Sequence, residues 1–110
     1  MRALIPCLAL AVTACATPSG QRQNAPVVSE TSTHRPEQVI ACIAAAWSEM
    51  TPYRFNTIPG DGRTTLTLSA DFGTEATVDV FNDGRVVAYK RGTPLGANAR
   101  GPIRAVRDCI

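Results

Sequence analysis

Residues 64–90 read TTLTLSADFGTEATVDVFNDGRVVAYK, and their pattern of side chains predicts the sheet of this protein. Apolar and polar side chains alternate over 64–70 and again over 74–82, the period of a strand with one buried face. Asp71-Phe72-Gly73 separates the two runs as a turn, and Asp83-Gly84 follows the second run as a hairpin signal. The stretch therefore predicts an antiparallel meander of three strands.

The hairpin at Asp83-Gly84 also predicts a register. A two-residue type I′ loop places Val80 opposite Val87 and Val78 opposite Tyr89. The larger apolar residues of both strands then share one face of the sheet, so we predict this register over one with a three-residue loop.

A helix is predicted before the meander, from Pro36 to Met50. Proline suits the first turn of a helix, and Glu37 complements the positive end of the helix dipole. Apolar residues recur there at spacings of 4, 7, 8 and 11, namely Val39, Ile43, Ala46, Trp47 and Met50. Trp47 lies on this stripe and is therefore predicted to be a core residue rather than a ligand platform.

A short fourth strand over 54–57 is also predicted, with a turn over 59–62.

A second helix is predicted at the carboxyl end of the chain. Glycine and proline mark Gly92–Gly101 as a loop, and Pro102 can open a helix. Ile103, Val106, Cys109 and Ile110 then fall on one apolar face. The predicted fold class is α+β: a helix, a three- or four-stranded antiparallel meander and a C-terminal helix.

The amino terminus has the features of an export signal. Arg2 precedes an apolar stretch, Ala3–Thr13, which is shorter than the roughly 20 residues that a spanning helix needs. Residues 10–15, LAVTAC, resemble the lipobox of bacterial lipoproteins: an aliphatic residue, two small residues and cysteine. This resemblance implies that residues 1–14 are removed and that Cys15 carries a lipid. The alternative is an ordinary secretory signal cleaved after Ala14, which leaves Cys15 as a free thiol.

The remaining cysteines predict a disulfide. Of the four cysteines, Cys7 is lost with the signal and Cys15 carries the lipid, so that Cys42 and Cys109 remain. An even pair in an oxidising compartment favours a disulfide over two buried thiols. Metal ligation is disfavoured, because no further Cys or His in the domain could complete a site.

Residues 15–33 are predicted to be a lipidated cysteine followed by a flexible tether. Residues 16–33 are rich in Thr, Ser, Pro and Gln, a composition that buries little apolar surface. A tether of this length reaches roughly 20 to 25 Å on average. The folded domain is accordingly expected to span residues 34–110.

Charge and composition argue against several functions. The net charge of +2 is too small to indicate a nucleic-acid partner. The single histidine, His34, lies at the edge of the predicted tether, where it lacks an ordered partner for acid–base chemistry. The acids at 61, 71, 79 and 83 are interpreted as turn and hairpin residues, because aspartate caps local backbone donors. We expect no catalytic residues, metal or cofactor, and hence no enzyme.

Arg100, Arg104 and Arg107 form a candidate site on the C-terminal helix. Their spacings of 4 and 7 place them on the solvent face, opposite Ile103 and Val106. Arginine forks suit phosphate and carboxylate groups, so an anionic or acidic partner is one interpretation. The other is a solvated helix face in a protein whose basic residues are nearly all arginine.

The layout as a whole resembles small lipoproteins of proteobacteria and their prophages, a likeness that implies no particular activity. Ala16 after the lipidated cysteine is what the enterobacterial sorting rule associates with the outer membrane. The resemblance implies a lipid-anchored protein facing the periplasm that binds an envelope partner without catalysis. The alternative is an inhibitor of a cell-wall hydrolase or a superinfection-exclusion protein, which would act through Pro94 and Leu95 in the Gly92–Gly101 loop.

Overall fold

A computed structural model describes residues 18–71, 73–91 and 100–110, without the side chain of Arg100. Within these residues the chain forms an antiparallel sheet with helices, the α+β class that the sequence predicts. The helices are α1 (Pro18–Gln21), α2 (Pro36–Ser48) and α3 (Arg100–Asp108). The strands are β1 (Val28–Thr31), β2 (Arg54–Pro59), β3 (Arg63–Ala70), β4 (Gly73–Phe81) and β5 (Arg85–Lys90).

The sheet has five strands in the order β1-β5-β4-β3-β2, so the prediction of three or four strands is wrong. Strands β2 to β5 form the predicted meander, in which each pairs with the next along the chain. The additional strand, β1, comes from the segment predicted to be a tether, and it pairs with the free edge of β5.

The core lies between one face of the sheet and the helices α2 and α3. The buried apolar residues of β3, β4 and β5 alternate on this face, and helix residues pack onto them. Trp47 is 1% exposed, contacts the Phe55 ring edge-on, and donates a hydrogen bond from Nε1 to the carbonyl of Pro102 at 3.1 Å. This tryptophan therefore joins α2 both to the sheet and to α3, as a core residue.

The hairpin between β4 and β5 differs from the predicted register by one residue. Val80 pairs with Val86, and Val78 pairs with Ala88. The loop has three residues, 82–84, because only Gly84 has a positive φ (+98°), whereas a type I′ turn also requires one at Asp83. Consequently Val86 and Ala88 face the core, while the predicted core residues Val87 and Tyr89 lie on the opposite face.

The predicted tether is wrong for residues 18–31, which belong to the folded domain. The segment has few apolar side chains, but a strand at the edge of a sheet is held largely by backbone hydrogen bonds. Val28 is 3% exposed, and the Val27 N–H donates to the carbonyl of Ala88 at 2.8 Å. Before β1, Gln21 donates from Nε2 to the carbonyl of Thr74 on the sheet at 2.6 Å.

A buried ion pair also holds this segment, on the face of the sheet opposite α2 and α3. Asp79 is 1% exposed, and its two carboxylate oxygens accept hydrogen bonds from Nε and Nη2 of Arg22, both at 2.8 Å. Thr65 Oγ1 donates to the same carboxylate at 2.7 Å, and Arg63 Nη1 lies 3.5 Å from it. Burial raises the pKa of Asp79, but these hydrogen bonds and positive charges outweigh it and lower the pKa below its ordinary value.

Candidate partner-binding surface

The disulfide predicted between Cys42 and Cys109 is present. Its Cα atoms are 5.7 Å apart, and it links α2 to the residue that follows α3. Cys109 is 6% exposed, whereas Cys42 lies on the exposed edge of α2. The bond closes 67 residues of chain, so it holds the C-terminal helix against the first long helix from the far end of the sequence.

Helix α3 buries its apolar face and exposes two of the three arginines that the sequence predicts to be on its solvent face. Ile103 and Val106 are 5% and 0% exposed, while Arg104 and Arg107 are exposed on the other side of the helix. Arg100 begins the same helix, but its side chain lies outside the described residues. We name Arg104 and Arg107 the basic helix surface.

The basic helix surface borders an open depression of about 500 Å³, which is also lined by Gly101 and Asp108. Arg107 donates from Nη2 to the carbonyl of Val27 at 2.9 Å, so part of its hydrogen-bonding capacity is structural. Arg104 has no hydrogen bond or ion pair to another residue of the described part of the chain. Its guanidinium is therefore the group here most available to a carboxylate or phosphate.

Of the other sequence candidates, those within the described residues do not line this depression. Cys15 and most of the Gly92–Gly101 loop, with Pro94 and Leu95, lie outside the described residues. His34 is exposed, and Asp83 pairs with Arg85 across the hairpin at 3.0 Å. Among the residues described, no group of acids, histidines and cysteines is arranged to hold a metal ion.

Sequence reasoning missed the network of Arg22, Arg63, Thr65 and Asp79. The pattern predicts a hairpin residue at Asp79, whereas its buried carboxylate accepts three hydrogen bonds from two side chains, Arg22 and Thr65, and forms a longer ion pair with Arg63. Arg22 lies 57 residues from Asp79 in the chain, and no local spacing pairs the two. The available signal is the presence of two acids, Glu75 and Asp79, in a run that is otherwise apolar and threonine-rich, because an acid buried in such a run needs a partner.

Comparison with known proteins returned no match, whether to family models, to curated proteins or to solved structures. Among the described residues, no helix has both the length and the hydropathy required to cross a bilayer.

Proposed function

We propose that this chain is a lipid-anchored protein of the bacterial envelope that binds a partner and performs no catalysis. The lipobox-like residues 10–15 support the anchor at Cys15. The Cys42–Cys109 disulfide supports the location, because disulfides persist in oxidising compartments such as the periplasm. Ala16 favours the outer membrane under the enterobacterial sorting rule.

The anchor in this proposal is close to the folded domain. Helix α1 begins at Pro18, three residues after Cys15, and three residues of extended chain span at most about 11 Å. The domain would therefore lie at the membrane surface rather than at the end of a long tether. Attachment through two or more acyl chains is effectively permanent, so a partner in the same membrane requires only weak affinity.

The exposed guanidinium of Arg104 is the observation that carries the partner-binding part of the proposal. It lies on a helix that the disulfide and the Trp47–Pro102 hydrogen bond hold in place, so little ordering is needed when a partner binds. A carboxylate-bearing protein surface fits a guanidinium at such a rigid site.

Arg104→Glu tests this proposal directly. In cells, a photoreactive residue at Gly101 should crosslink one protein partner, and Arg104→Glu should reduce that product by about fivefold or more, since a charge-assisted hydrogen bond becomes a repulsion. Arg35→Glu is the matched control, because Arg35 is 73% exposed and lies at the start of α2. An unchanged product with Arg104→Glu, or equal losses in both variants, would contradict the proposal.

A further inference from the structure

A second, smaller depression, of about 260 Å³, lies on the face of the sheet opposite α2 and α3. It is lined by three polar residues, Arg22, Arg63 and Thr65, and by Pro18, Ile58, Pro59 and Gly60. It is thus built from α1, the end of β2 and the start of β3. We name it the Arg22–Arg63 pocket.

The charges of the Arg22–Arg63 pocket favour an anion. Two guanidinium groups share one carboxylate, that of Asp79, so the cluster carries a net positive charge. The side chains of Arg22 and Arg63 are 24% and 38% exposed, whereas Asp79 is 1% exposed. The positive groups therefore reach the opening, and the negative group lies beneath them.

Arg63 is positioned to bind a ligand. Its guanidinium carbon lies 5.8 Å from the centre of the Phe81 ring, at the outer limit of a cation–π contact, while Arg85 lies 4.2 Å from the same ring. Its ion pair with Asp79 spans 3.5 Å, which is longer than the 2.8 Å hydrogen bonds made by Arg22. Arg63 consequently keeps donors for an incoming oxyanion, whereas most of those on Arg22 are committed to Asp79 and Thr65.

The apolar side of the pocket indicates what adjoins the anion. Ile58 is 48% exposed and lies at the rim beside Pro18 and Pro59. An exposed isoleucine next to arginine donors is suited to the boundary between lipid headgroups and acyl chains, where cations meet phosphates and apolar side chains leave water.

The closeness of the pocket to Cys15 also favours a lipid ligand. Pro18 lines the pocket, and Cys15 is three residues away, within about 11 Å of extended chain. If Cys15 carries a lipid, as the proposed function holds, the pocket is confined near the headgroups of that membrane.

We propose that the Arg22–Arg63 pocket binds the phosphate of an anionic phospholipid, with Ile58 entering the membrane interface beside it. The inference rests on the proposed lipid anchor for its source of ligand. Arg22 and Arg63 supply the charge, Thr65 borders the phosphate, and the phospholipid glycerol contacts Ile58. The membrane would then lie on one face of the sheet, and the basic helix surface would lie beyond the other face.

For the test, the full chain is expressed, and the isolated protein is reconstituted into lipid nanodiscs. Discs of phosphatidylcholine alone are compared with discs that also contain phosphatidylglycerol, and the arginine Nε–H resonances are followed by NMR. We expect the Arg22 and Arg63 resonances to shift with phosphatidylglycerol content. The Arg35 resonance, from the start of α2, should stay unchanged.

Two variants make the test specific. Arg63→Ala should weaken the apparent affinity for phosphatidylglycerol, read from the Arg22 resonance, by about tenfold, because one charge-assisted hydrogen bond is lost. Ile58→Ser should also weaken it, since the apolar contact is removed. Arg35→Ala should leave the affinity unchanged.

Two results would overturn the inference. The first is an equal response to both kinds of disc. The second is a shift that inorganic phosphate reproduces on phosphatidylcholine discs and that Ile58→Ser does not alter, which would indicate a site for free phosphate. Absence of a lipid on Cys15 would contradict the proposed anchor and not the pocket itself. The intact mass of the protein detects that lipid independently of the nanodisc experiment.

Discussion

Replacing Cys42 and Cys109 together with alanine should lower the free energy of unfolding by about 4 kcal/mol. The disulfide closes 67 residues of chain, and releasing a loop of that length returns about this much conformational entropy to the unfolded state. Small domains are stable by only about 5 to 15 kcal/mol, so this is a large part of the total. Alanine is the better replacement at 109, because that side chain is 6% exposed and serine would bury a hydroxyl.

The loss should begin at the C-terminal helix. Apart from the disulfide, α3 is held by burial of Ile103 and Val106 and by hydrogen bonds from Trp47 and Arg107. Urea unfolding followed by the fluorescence of the buried Trp47 gives the free energy, and amide exchange over 101–108 gives the local effect. Reducing the unmodified protein should reproduce both changes. A stability change well below 1 kcal/mol would contradict a structural role for the disulfide.

Asp79→Ala should cost about 2 to 3 kcal/mol, because it removes the hydrogen bonds that hold the partly exposed Arg22 on the sheet. The carboxylate accepts two hydrogen bonds from Arg22 and one from Thr65, and it is 1% exposed. Amide exchange should rise most over 18–31, since this network ties that segment to β4. Asp83→Ala is the matched control: Asp83 has an arginine partner too, but it lies on the exposed hairpin, so little change is expected.

The effect of pH provides a second measurement on Asp79. Its pKa is lowered in the folded protein, so the ionised carboxylate stabilises the fold at neutral pH. That contribution is lost as the pH falls from the ordinary aspartate value, about 4, through the lower folded value. Stability of the Asp79→Asn variant should therefore depend less steeply on pH in this acid range. Parallel acid profiles for the variant and the unmodified protein would contradict the assigned role.

Local patterns in the sequence predicted much of the fold. Helix α2 follows from its apolar stripe, and β3 and β4 follow from alternation. Helix α3 follows from the spacing of Ile103 and Val106, but it begins at Arg100, two residues before the predicted start at Pro102. The disulfide prediction uses elimination among four cysteines, on the expectation raised by the lipobox-like residues 10–15. Each of these inferences uses residues that are close in sequence or rare in the chain.

Contacts between distant residues explain what the sequence did not predict. Strand β1 forms because β5 presents a free edge, and Arg22 is ordered by an acid 57 residues away. The hairpin register depends on a single backbone angle, since a non-positive φ at Asp83 lengthens the loop by one residue and reverses the faces of Val87 and Tyr89.

In the candidate sites too, local sequence patterns predicted some features, and contacts between distant residues determine the others. Helical spacing predicted that Arg104 and Arg107 would be exposed, and they are. It could not predict that Arg107 hydrogen bonds to Val27, 80 residues earlier, or that Arg22 and Arg63 meet beside Ile58. Both contacts depend on the amino-terminal segment being folded, which its composition argued against.

The anchored, disulfide-linked protein proposed here can be checked by the intact mass of the protein extracted from its native membrane, with and without reduction. We expect a chain that begins at Cys15, carries a diacylglyceryl group, and gains the mass of two hydrogen atoms when the Cys42–Cys109 disulfide is reduced. A chain that begins at another residue, or that begins at Cys15 without a lipid, would contradict the anchored envelope protein proposed here.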